Sequence, residues 1–250
     1  MLIAGVKTFG LIMLVCLSSE LRAFTPPDVP VLAATATVTE LMRDEIVSQL
    51  DIIGCELVSE SPNKPNIYYS VEKRSGNIET DLSFIVDDLA KNAVSVKRVI
   101  VYCRSLDLCS SLYAHFLYTL GDQSYHPPGA EQVSNNRLFE MYHSRTDEHN
   151  KEVIMESMNK ADGTVRVVFA TMALGMGVNL VGLNTTIHYG APRSLEDYFQ
   201  ESGRAGRNGE AATSTIYWTP RDAPRCSAGP QDHRQREVNA VRKYVEDVST

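Results

Sequence analysis

The fold of this 250-residue chain is decided by RVIVYCRSLDLCSSLYAHFLYTL, residues 98–120, in which two patterns meet. RVIVYC (98–103) is a continuous, largely apolar run, which is typical of a strand buried on both faces of a sheet. Ser105 comes directly after it and predicts the N-cap of a helix over residues 106–120. A buried strand that leads at once into a helix is the repeating unit of a parallel α/β sheet.

The same alternation of short strands and helices continues in both directions from this stretch. Apolar and β-branched runs predict further strands over residues 29–36, 65–72, 137–144, 165–171, 184–190 and 212–218. Apolar residues at helical spacing predict helices over residues 39–50, 77–92, 146–158 and 195–205, and a last one with Val238, Val241 and Val245. The fold class that follows is α/β, with a doubly wound, mostly parallel sheet, helices on both faces and a C-terminal helical tail.

Polar and charged clusters stand just past the predicted strands or at the predicted helix starts. They are residues 35–37, 104–105, 143–145, 171–179 and 200–207. In an open parallel sheet the functional edge is the one where strands end and helices begin. We therefore expect all five clusters to lie at the carboxyl edge of the sheet.

The stretch YFQESGRAGRNGE (198–210) spaces Arg204 and Arg207 three residues apart among three glycines. If the helix extends to about Ala205, residues three apart lie on neighbouring turns of one helical face. Guanidinium groups present fixed N–H donors that suit phosphate or carboxylate oxygens, and the glycines let another surface approach closely. A solvated helix end that stops at a glycine is the alternative that this stretch alone leaves open.

Composition and charge restrict the partners. The chain has 24 basic and 31 acidic side chains and a net charge of -7, so a nucleic-acid contact requires a local basic patch. Five scattered cysteines without a C-x-x-C pair support neither a disulfide framework nor a zinc site, and no metal ligands are assigned. An intracellular protein without a membrane partner is the simpler interpretation. The apolar run over residues 9–17 leaves a secretory signal peptide as the alternative.

Five motifs, in order and at suitable spacing, resemble the RecQ family of superfamily 2 DNA helicases. They are VLAATAT, VIVYCRS, MYHSRTDEHNKE, VRVVFATMALGMGVNL and IHYGAPRSLEDYFQESGRAGRNGE. The resemblance covers residues 20–247 and matches the second RecA-like lobe together with the end of the first. One such motif is a modest signal, whereas five in order form a specific one.

The resemblance implies that the arginines of the last motif act on ATP. Arg207 resembles the arginine finger that neutralises charge on the γ-phosphate, and Arg204 and Gln200 stand beside it as the other catalytic candidates. The implied ATP-binding residues are Gly175, Gly177, Asn179, Gln200, Arg204 and Arg207. Asn179 departs from the family, which commonly has Asp at that place, so no ion-paired role is assigned to it.

The resemblance also implies where DNA lies. The residues that would contact phosphates of single-stranded and partly unwound DNA are Arg104, Ser105, His143 and Thr171. An arginine side chain and a helix N-terminus both suit phosphate oxygens. The residues that would couple ATP hydrolysis to movement are Thr35, Ala36 and Thr37.

Membership of that family would imply a 3′-to-5′ DNA helicase that uses ATP and Mg²⁺, acts in DNA repair and recombination, and resides in the nucleus or cytoplasm. The predicted organisation has three parts. They are an apolar segment with a remnant of the first lobe (1–50), the C-terminal RecA-like helicase domain (51–220), and a linker that starts a truncated zinc-binding helical domain (221–250). We expect the last helix to lack the partner that would bury its valine stripe.

The 250 residues contain neither a G-x-x-x-x-G-K-[ST] phosphate loop nor a D-E-x-H box. We therefore expect an incomplete chain that lacks the first helicase lobe and does not hydrolyse ATP by itself. The alternative is a nucleic-acid-binding or regulatory module without catalytic activity. His188, in a predicted strand and without partners at metal-ligand spacing, is expected to be a satisfied core histidine.

Overall fold

The computed structural model describes residues 2–5, 31–34, 40–52, 54–59, 64–171, 180–219, 222 and 233–248. The chain divides into two units, Met1–Asn63 and Lys64–Thr250. In the first unit, β1 (Leu2–Gly5) and β2 (Val31–Ala34) pair in parallel, and α1 spans Glu40–Gln49. The apolar run over residues 9–17 lies outside the described residues.

The second unit alternates strands and helices as predicted. Its strands are β3 (Ile67–Lys73), β4 (Arg98–Cys103), β5 (Phe139–Tyr142), β6 (Val167–Ala170), β7 (Leu183–Tyr189) and β8 (Ala212–Trp218). Its helices are α2 (Ile78–Asp81), α3 (Ser83–Asn92), α4 (Leu106–Leu120), α5 (Glu148–Asn159), α6 (Leu195–Ser202) and α7 (His233–Val248). None of the helices in the described part of the chain is both long and apolar enough to cross a membrane.

The six strands of this unit form one sheet in the order β3-β8-β7-β4-β6-β5. Every neighbouring pair is parallel, and β4 lies in the middle with Tyr102 opposite both Ala170 of β6 and His188 of β7. Because all six strands run the same way, their carboxyl ends share one edge. The predicted α/β class with a doubly wound parallel sheet is confirmed.

Helices cover both faces of the sheet because alternate residues of β4 point to opposite sides. Val101 of β4 belongs to the core under α3 and α4, whose buried residues include Ile85, Leu89, Leu112 and Phe116. Ile100 belongs to the core under α5, whose buried residues include Ile154 and Met158. All six residues of β4 are buried, which is what its continuous apolar pattern predicts.

Local signals set the start of two crossover helices. The Ser105 hydroxyl accepts a hydrogen bond from the Leu108 amide at 3.2 Å and caps α4, as predicted. The Asp147 carboxylate accepts one from the Asn150 amide at 2.9 Å, so α5 begins at Glu148 rather than at Thr146. Side-chain caps of this kind satisfy amide groups that a helix start leaves without an intrahelical partner.

The prediction of a single helix over residues 77–92 is wrong. Leu82 separates α2 from α3, leaves the helical region of backbone angles and is fully buried. The Asp81 carboxylate, just before it, accepts hydrogen bonds from the Ser75 amide and the Tyr189 hydroxyl, each at 2.8 Å. These tertiary contacts of Asp81 have no signature in the helical period of the sequence.

The expectation that the last helix lacks a packing partner is also wrong. Val241 and Val245 of α7 are 2% and 0% exposed and join a core cluster that contains Tyr198 of α6 and Ile216 of β8. The Tyr244 ring lies 5.6 Å from the ring of Tyr198. Since α6 and β8 belong to the same lobe, α7 is part of its packed structure.

We predict that Val245→Ala lowers the free energy of unfolding by about 2 kcal/mol, because it removes two buried methyl groups and leaves a cavity. Urea-induced unfolding measures the change. Val248→Ala, at the 38% exposed end of the same helix, is the matched control and should change stability by less than about 0.5 kcal/mol. Equal stability of Val245→Ala and the parent chain would contradict the packing of α7.

Candidate functional site

The sheet brings the four residues predicted to contact DNA to one edge. Arg104 and Ser105 follow β4, Thr171 follows β6 and His143 follows β5. Because these strands are neighbours in the order β4-β6-β5 and all are parallel, the four residues form a row along the carboxyl edge. We call Arg104, Ser105, His143 and Thr171 the edge row.

Arg104 is exposed at this edge and lies against the end of β7 and the segment after β8. Its guanidinium donates a hydrogen bond to the Asp222 carbonyl oxygen. Gly190, which follows β7, makes room for it, because a Cβ there would lie 2.7 Å from Arg104 Cδ. Asp222 is held in turn by an ion pair with Arg74 at 3.0 Å and by the Thr219 amide at 2.7 Å.

His143 belongs to a compact turn at the end of β5. Its Nδ1 accepts a hydrogen bond from the Arg145 amide at 3.1 Å, so the neutral ring carries its proton on Nε2. Burial, with smaller contributions from the charges of Arg145 and Lys151, lowers the pKa of His143 below its usual value. At neutral pH His143 therefore offers an N–H donor rather than a positive charge. The Thr171 amide bonds to the Tyr142 carbonyl at 3.3 Å and ties the ends of β6 and β5 together.

The two arginines do not lie on one helical face, which corrects the prediction. The helix α6 ends at Ser202, and Gly203 is its C-cap. Residues 203–210, which we call the arginine loop, follow the helix; residues 203–208 form consecutive turns, with Gly206 at φ +59°. The Gly206 amide bonds to the Leu183 carbonyl at 2.9 Å, at the first residue of β7.

That bond places the second half of the arginine loop at the amino edge of the sheet. The expectation that the whole 200–207 cluster lies at the carboxyl edge is therefore wrong. Arg207 is exposed on the loop, whereas Arg204 is half-buried. Gln200 is half-buried on the last turn of α6, where its amide donates to the Glu196 carboxylate at 3.3 Å.

A buried polar cluster lies beneath the first half of the arginine loop. His188 is 2% exposed, its Nε2 is 2.7 Å from a Glu201 carboxylate oxygen, and its ring stacks on Tyr102 at 4.8 Å. The prediction that His188 lies in the core is confirmed, but the ring is only half satisfied, because its buried Nδ1 has no hydrogen-bond partner. Burial raises the pKa of Tyr102, as does the Glu201 charge, and the nearby positive charge of Arg204 acts in the opposite direction. The cluster thus joins the end of β4 to Arg204.

Two residues that contact the arginine loop were missed by the sequence analysis. Lys64 Nζ donates a hydrogen bond to the Gly203 carbonyl at 2.6 Å. Asn66 Nδ2 donates to the carbonyls of Gly206 at 2.8 Å and Glu210 at 2.7 Å. The partners are about 140 positions apart in the chain, so no local pattern around Lys64 and Asn66 reveals these contacts.

The positive charges on and beside the arginine loop indicate which kind of ligand it suits. Burial and, to a smaller extent, the positive charge of Arg207 lower the pKa of Lys64, and the bond from Lys64 to Gly203 adds this third cation to the arginine loop. Such a group suits a polyanion such as a triphosphate. No three His, Cys, Asp or Glu side chains of the described residues are grouped so that they could hold a metal ion by themselves.

Some predicted site residues lie outside the described residues. They are Gly175, Gly177 and Asn179 of the predicted ATP site, and Thr35, Ala36 and Thr37 of the predicted coupling motif.

Comparison with known proteins gives one family. Residues 82–209 match the helicase conserved C-terminal domain. The bifunctional 3′-5′ exonuclease/ATP-dependent helicase WRN of Mus musculus is 31% identical over 198 residues, which cover 78% of this chain and 13% of that protein. The ATP-dependent DNA helicase Q-like 2 of Arabidopsis thaliana is 29% identical over 202 residues, which cover 81% of this chain and 26% of that protein. The chain thus spans only 13% and 26% of the length of these relatives.

A solved structure shares the fold. The Mycobacterium smegmatis helicase Lhr, bound to ssDNA and AMP-PNP, superimposes with a TM-score of 0.60 at 17% sequence identity. The match covers 84% of this chain and 27% of that chain. At this identity the likeness concerns the fold alone, and it supports the RecA-like form of the α/β sheet.

We predict that Gly206→Ala destabilises the chain by about 3 kcal/mol, because it adds a steric conflict to the strain of a left-handed backbone. A Cβ at Gly206 would lie 2.5 Å from Asn66 Nδ2 and 2.6 Å from the Glu210 carbonyl oxygen. Gly209, at φ +83° with open space around it, is the control, and Gly209→Ala should cost about 1 kcal/mol. Urea-induced unfolding measures both free energies of unfolding. If Gly206→Ala and Gly209→Ala lowered the free energy of unfolding equally, the close contact with Asn66 would be absent in solution.

Proposed function

The chain belongs to the family of the helicase conserved C-terminal domain with relatives of the RecQ type, and we propose that it is the second RecA-like lobe of a 3′-to-5′ ATP-dependent DNA helicase. The observation that supports the proposal is that one lobe presents two groups of residues whose chemistry suits phosphate, the edge row and the arginine loop. The edge row occupies the carboxyl edge of the sheet, and the arginine loop ends at its amino edge.

The edge row is proposed to hold the backbone of single-stranded and partly unwound DNA. Arg104 supplies a positive charge, and the capped start of α4 at Ser105 presents backbone amides with the positive end of the helix dipole. His143 adds an uncharged N–H donor, and Thr171 a hydroxyl. Contacts to phosphates carry no base information, so binding should be independent of sequence.

The arginine loop is proposed to act on ATP across a cleft between two lobes. Arg207, exposed on the loop, fits the finger that neutralises charge on the transferring γ-phosphoryl group, and Arg204 and Gln200 support it. The phosphate loop and the Mg²⁺-binding acids are assigned to a first helicase lobe, because this chain has neither motif. Here "two-lobe protein" means a protein in which that first lobe precedes this chain.

The remaining assignments rest on the family resemblance. We propose that Gly175, Gly177 and Asn179 line the nucleotide site and that Thr35, Ala36 and Thr37 couple hydrolysis to movement along DNA. Nuclear or cytoplasmic DNA repair and recombination is the corresponding biological role.

The proposed domain organisation places the C-terminal RecA-like helicase domain at residues 51–220, after a remnant of the first lobe at residues 1–50. Residues 221–250 are proposed to lead into a zinc-binding helical domain.

A second candidate function is a nucleic-acid-binding or regulatory module that does not hydrolyse ATP. The missing phosphate loop of the 250-residue sequence favours it. The two functions share the edge row and differ in the arginine loop, which only the helicase needs for turnover. Substitution of Arg207 therefore separates them.

We predict that Arg207→Ala lowers kcat of the two-lobe protein for ATP by about 10³-fold or more, because a finger acts on charge that develops in the transition state. ATP affinity should stay nearly unchanged, since the phosphate loop of the first lobe supplies most of it. DNA-stimulated ATP hydrolysis and equilibrium nucleotide binding measure the two quantities. Arg193→Ala, at an exposed arginine just before α6, is the control and should keep parental turnover.

Parental turnover by Arg207→Ala would contradict the helicase role of the arginine loop and favour the binding module. The 250-residue chain alone should hydrolyse no ATP above background, with or without single-stranded DNA. Turnover by the pure chain would contradict the assignment of the phosphate loop to another lobe.

We predict that this lobe binds single-stranded DNA weakly and with a steep dependence on salt, because its contacts are a few phosphates and its net charge is -7. Arg104→Ala should reduce the slope of log K against log salt by about one and weaken binding equally on all sequences. Fluorescence anisotropy with oligonucleotides of different sequence measures both. Lys91→Ala, at the end of α3, is the control. An unchanged slope for Arg104→Ala would exclude Arg104 from the DNA site.

A further inference from the structure

The segment directly before β3 holds the arginine loop at three carbonyl groups. Lys64 binds the carbonyl of Gly203, which comes just before Arg204. Asn66 binds the carbonyls of Gly206 and Glu210. All three hydrogen bonds come from two side chains of one short stretch, Lys64–Asn66, which lies outside the sequence motifs.

The two bonds of Asn66 enclose Arg207. Gly206 is the residue before Arg207 and Glu210 is three residues after it, so one side-chain amide cross-links the two ends of the turn that carries Arg207. The fit is close, since a Cβ on Gly206 would lie 2.5 Å from Asn66 Nδ2. The backbone of Asn66 adds a third link, because its carbonyl accepts a hydrogen bond from the Ala212 amide at 2.9 Å.

Lys64 acts at the other end of the arginine loop. Its ammonium group lies at the C-terminus of α6, where the helix dipole and the terminal carbonyls favour a cation. The bond to Gly203 keeps this cation beside the loop although the positive charge of Arg207 opposes it. Lys64 thereby fixes the point at which the chain leaves α6 and turns towards Arg204.

We propose that Lys64 and Asn66 are positioning residues that fix the direction of Arg204 and Arg207 towards the phosphates of a bound nucleoside triphosphate. The inference rests on the proposed ATP-hydrolysing function of the arginine loop. A charged group contributes to catalysis only when it is held where the transition state needs it, and three glycines give the backbone of the arginine loop more conformational freedom than other residues would. The two side chains supply the missing rigidity.

The first experiment uses the 250-residue chain. Asn66→Asp keeps the shape of the side chain but replaces the two N–H donors by an oxygen that faces two carbonyl oxygens. Hydrogen exchange at the Gly206 and Gly209 amides should become at least about tenfold faster, because the loss of even one of the two hydrogen bonds has that size. Asn136→Asp, which loses a comparable bond to the Glu131 carbonyl, is the control and should leave these amides unchanged. Parental exchange in Asn66→Asp would overturn the proposal.

The second experiment measures ATP turnover in the two-lobe protein and separates kcat from KM. Asn66→Asp should lower kcat about a hundredfold, as expected for a catalytic group misplaced by about 1 Å, with KM for ATP near the parental value. Lys64→Met should lower kcat and Lys64→Arg should restore it, because arginine can also donate to the Gly203 carbonyl. If Arg207→Ala abolished turnover but Asn66→Asp kept the parental kcat, the positioning role alone would be overturned. Parental turnover in Arg207→Ala as well would refute the proposed function and the inference together.

Discussion

The parallel alignment of β4 between β6 and β7 is the constraint on which the rest of this lobe depends. Every residue of β4 is buried, and its alternate side chains enter two separate cores. Parallel strands cannot be joined by short turns, so the connections cross a face of the sheet, and helices form the crossovers that follow β3, β4, β5 and β7. The carboxyl ends of all six strands then meet at one edge, and the residues that follow them are exposed there together.

A buried cation secures the amino end of the same strand. Arg98 is 2% exposed, and its guanidinium donates to the carbonyls of Ser157 at 2.9 Å and Met158 at 2.7 Å, at the end of α5. Burial lowers the pKa of Arg98 to about 10, so it keeps its charge at neutral pH, and the carbonyl end of the helix compensates that charge. Arg98, the first residue of β4, thus attaches the C-terminal end of α5 to the central strand.

These constraints separate the edge row from the arginine loop and leave a chain of packed side chains between them. Tyr102, the penultimate residue of β4, stacks on His188, and His188 pairs with Glu201 at the end of α6. Arg104 follows Tyr102 by two residues, and the positive charge of Arg204 acts on the pKa of the Tyr102 hydroxyl. These contacts form a continuous packed chain from the end of β4 to the last turn of α6, which leads into the arginine loop.

The sequence by itself determined the strands, the crossover helices, the cap at Ser105 and the edge row, because strand and helix periods, helix caps and the residue after a strand are local features. Only the tertiary structure decided the strand order, the break at Leu82, the packing of α7 and the course of the arginine loop. The loop shows the reason most clearly: α6 ends at Ser202, and Lys64 and Asn66 hold the turns that follow. Those bonds join residues about 140 positions apart, which meet only once β3 has paired with β8. No local period or cap encodes contacts that depend on the register of strands so distant in the chain.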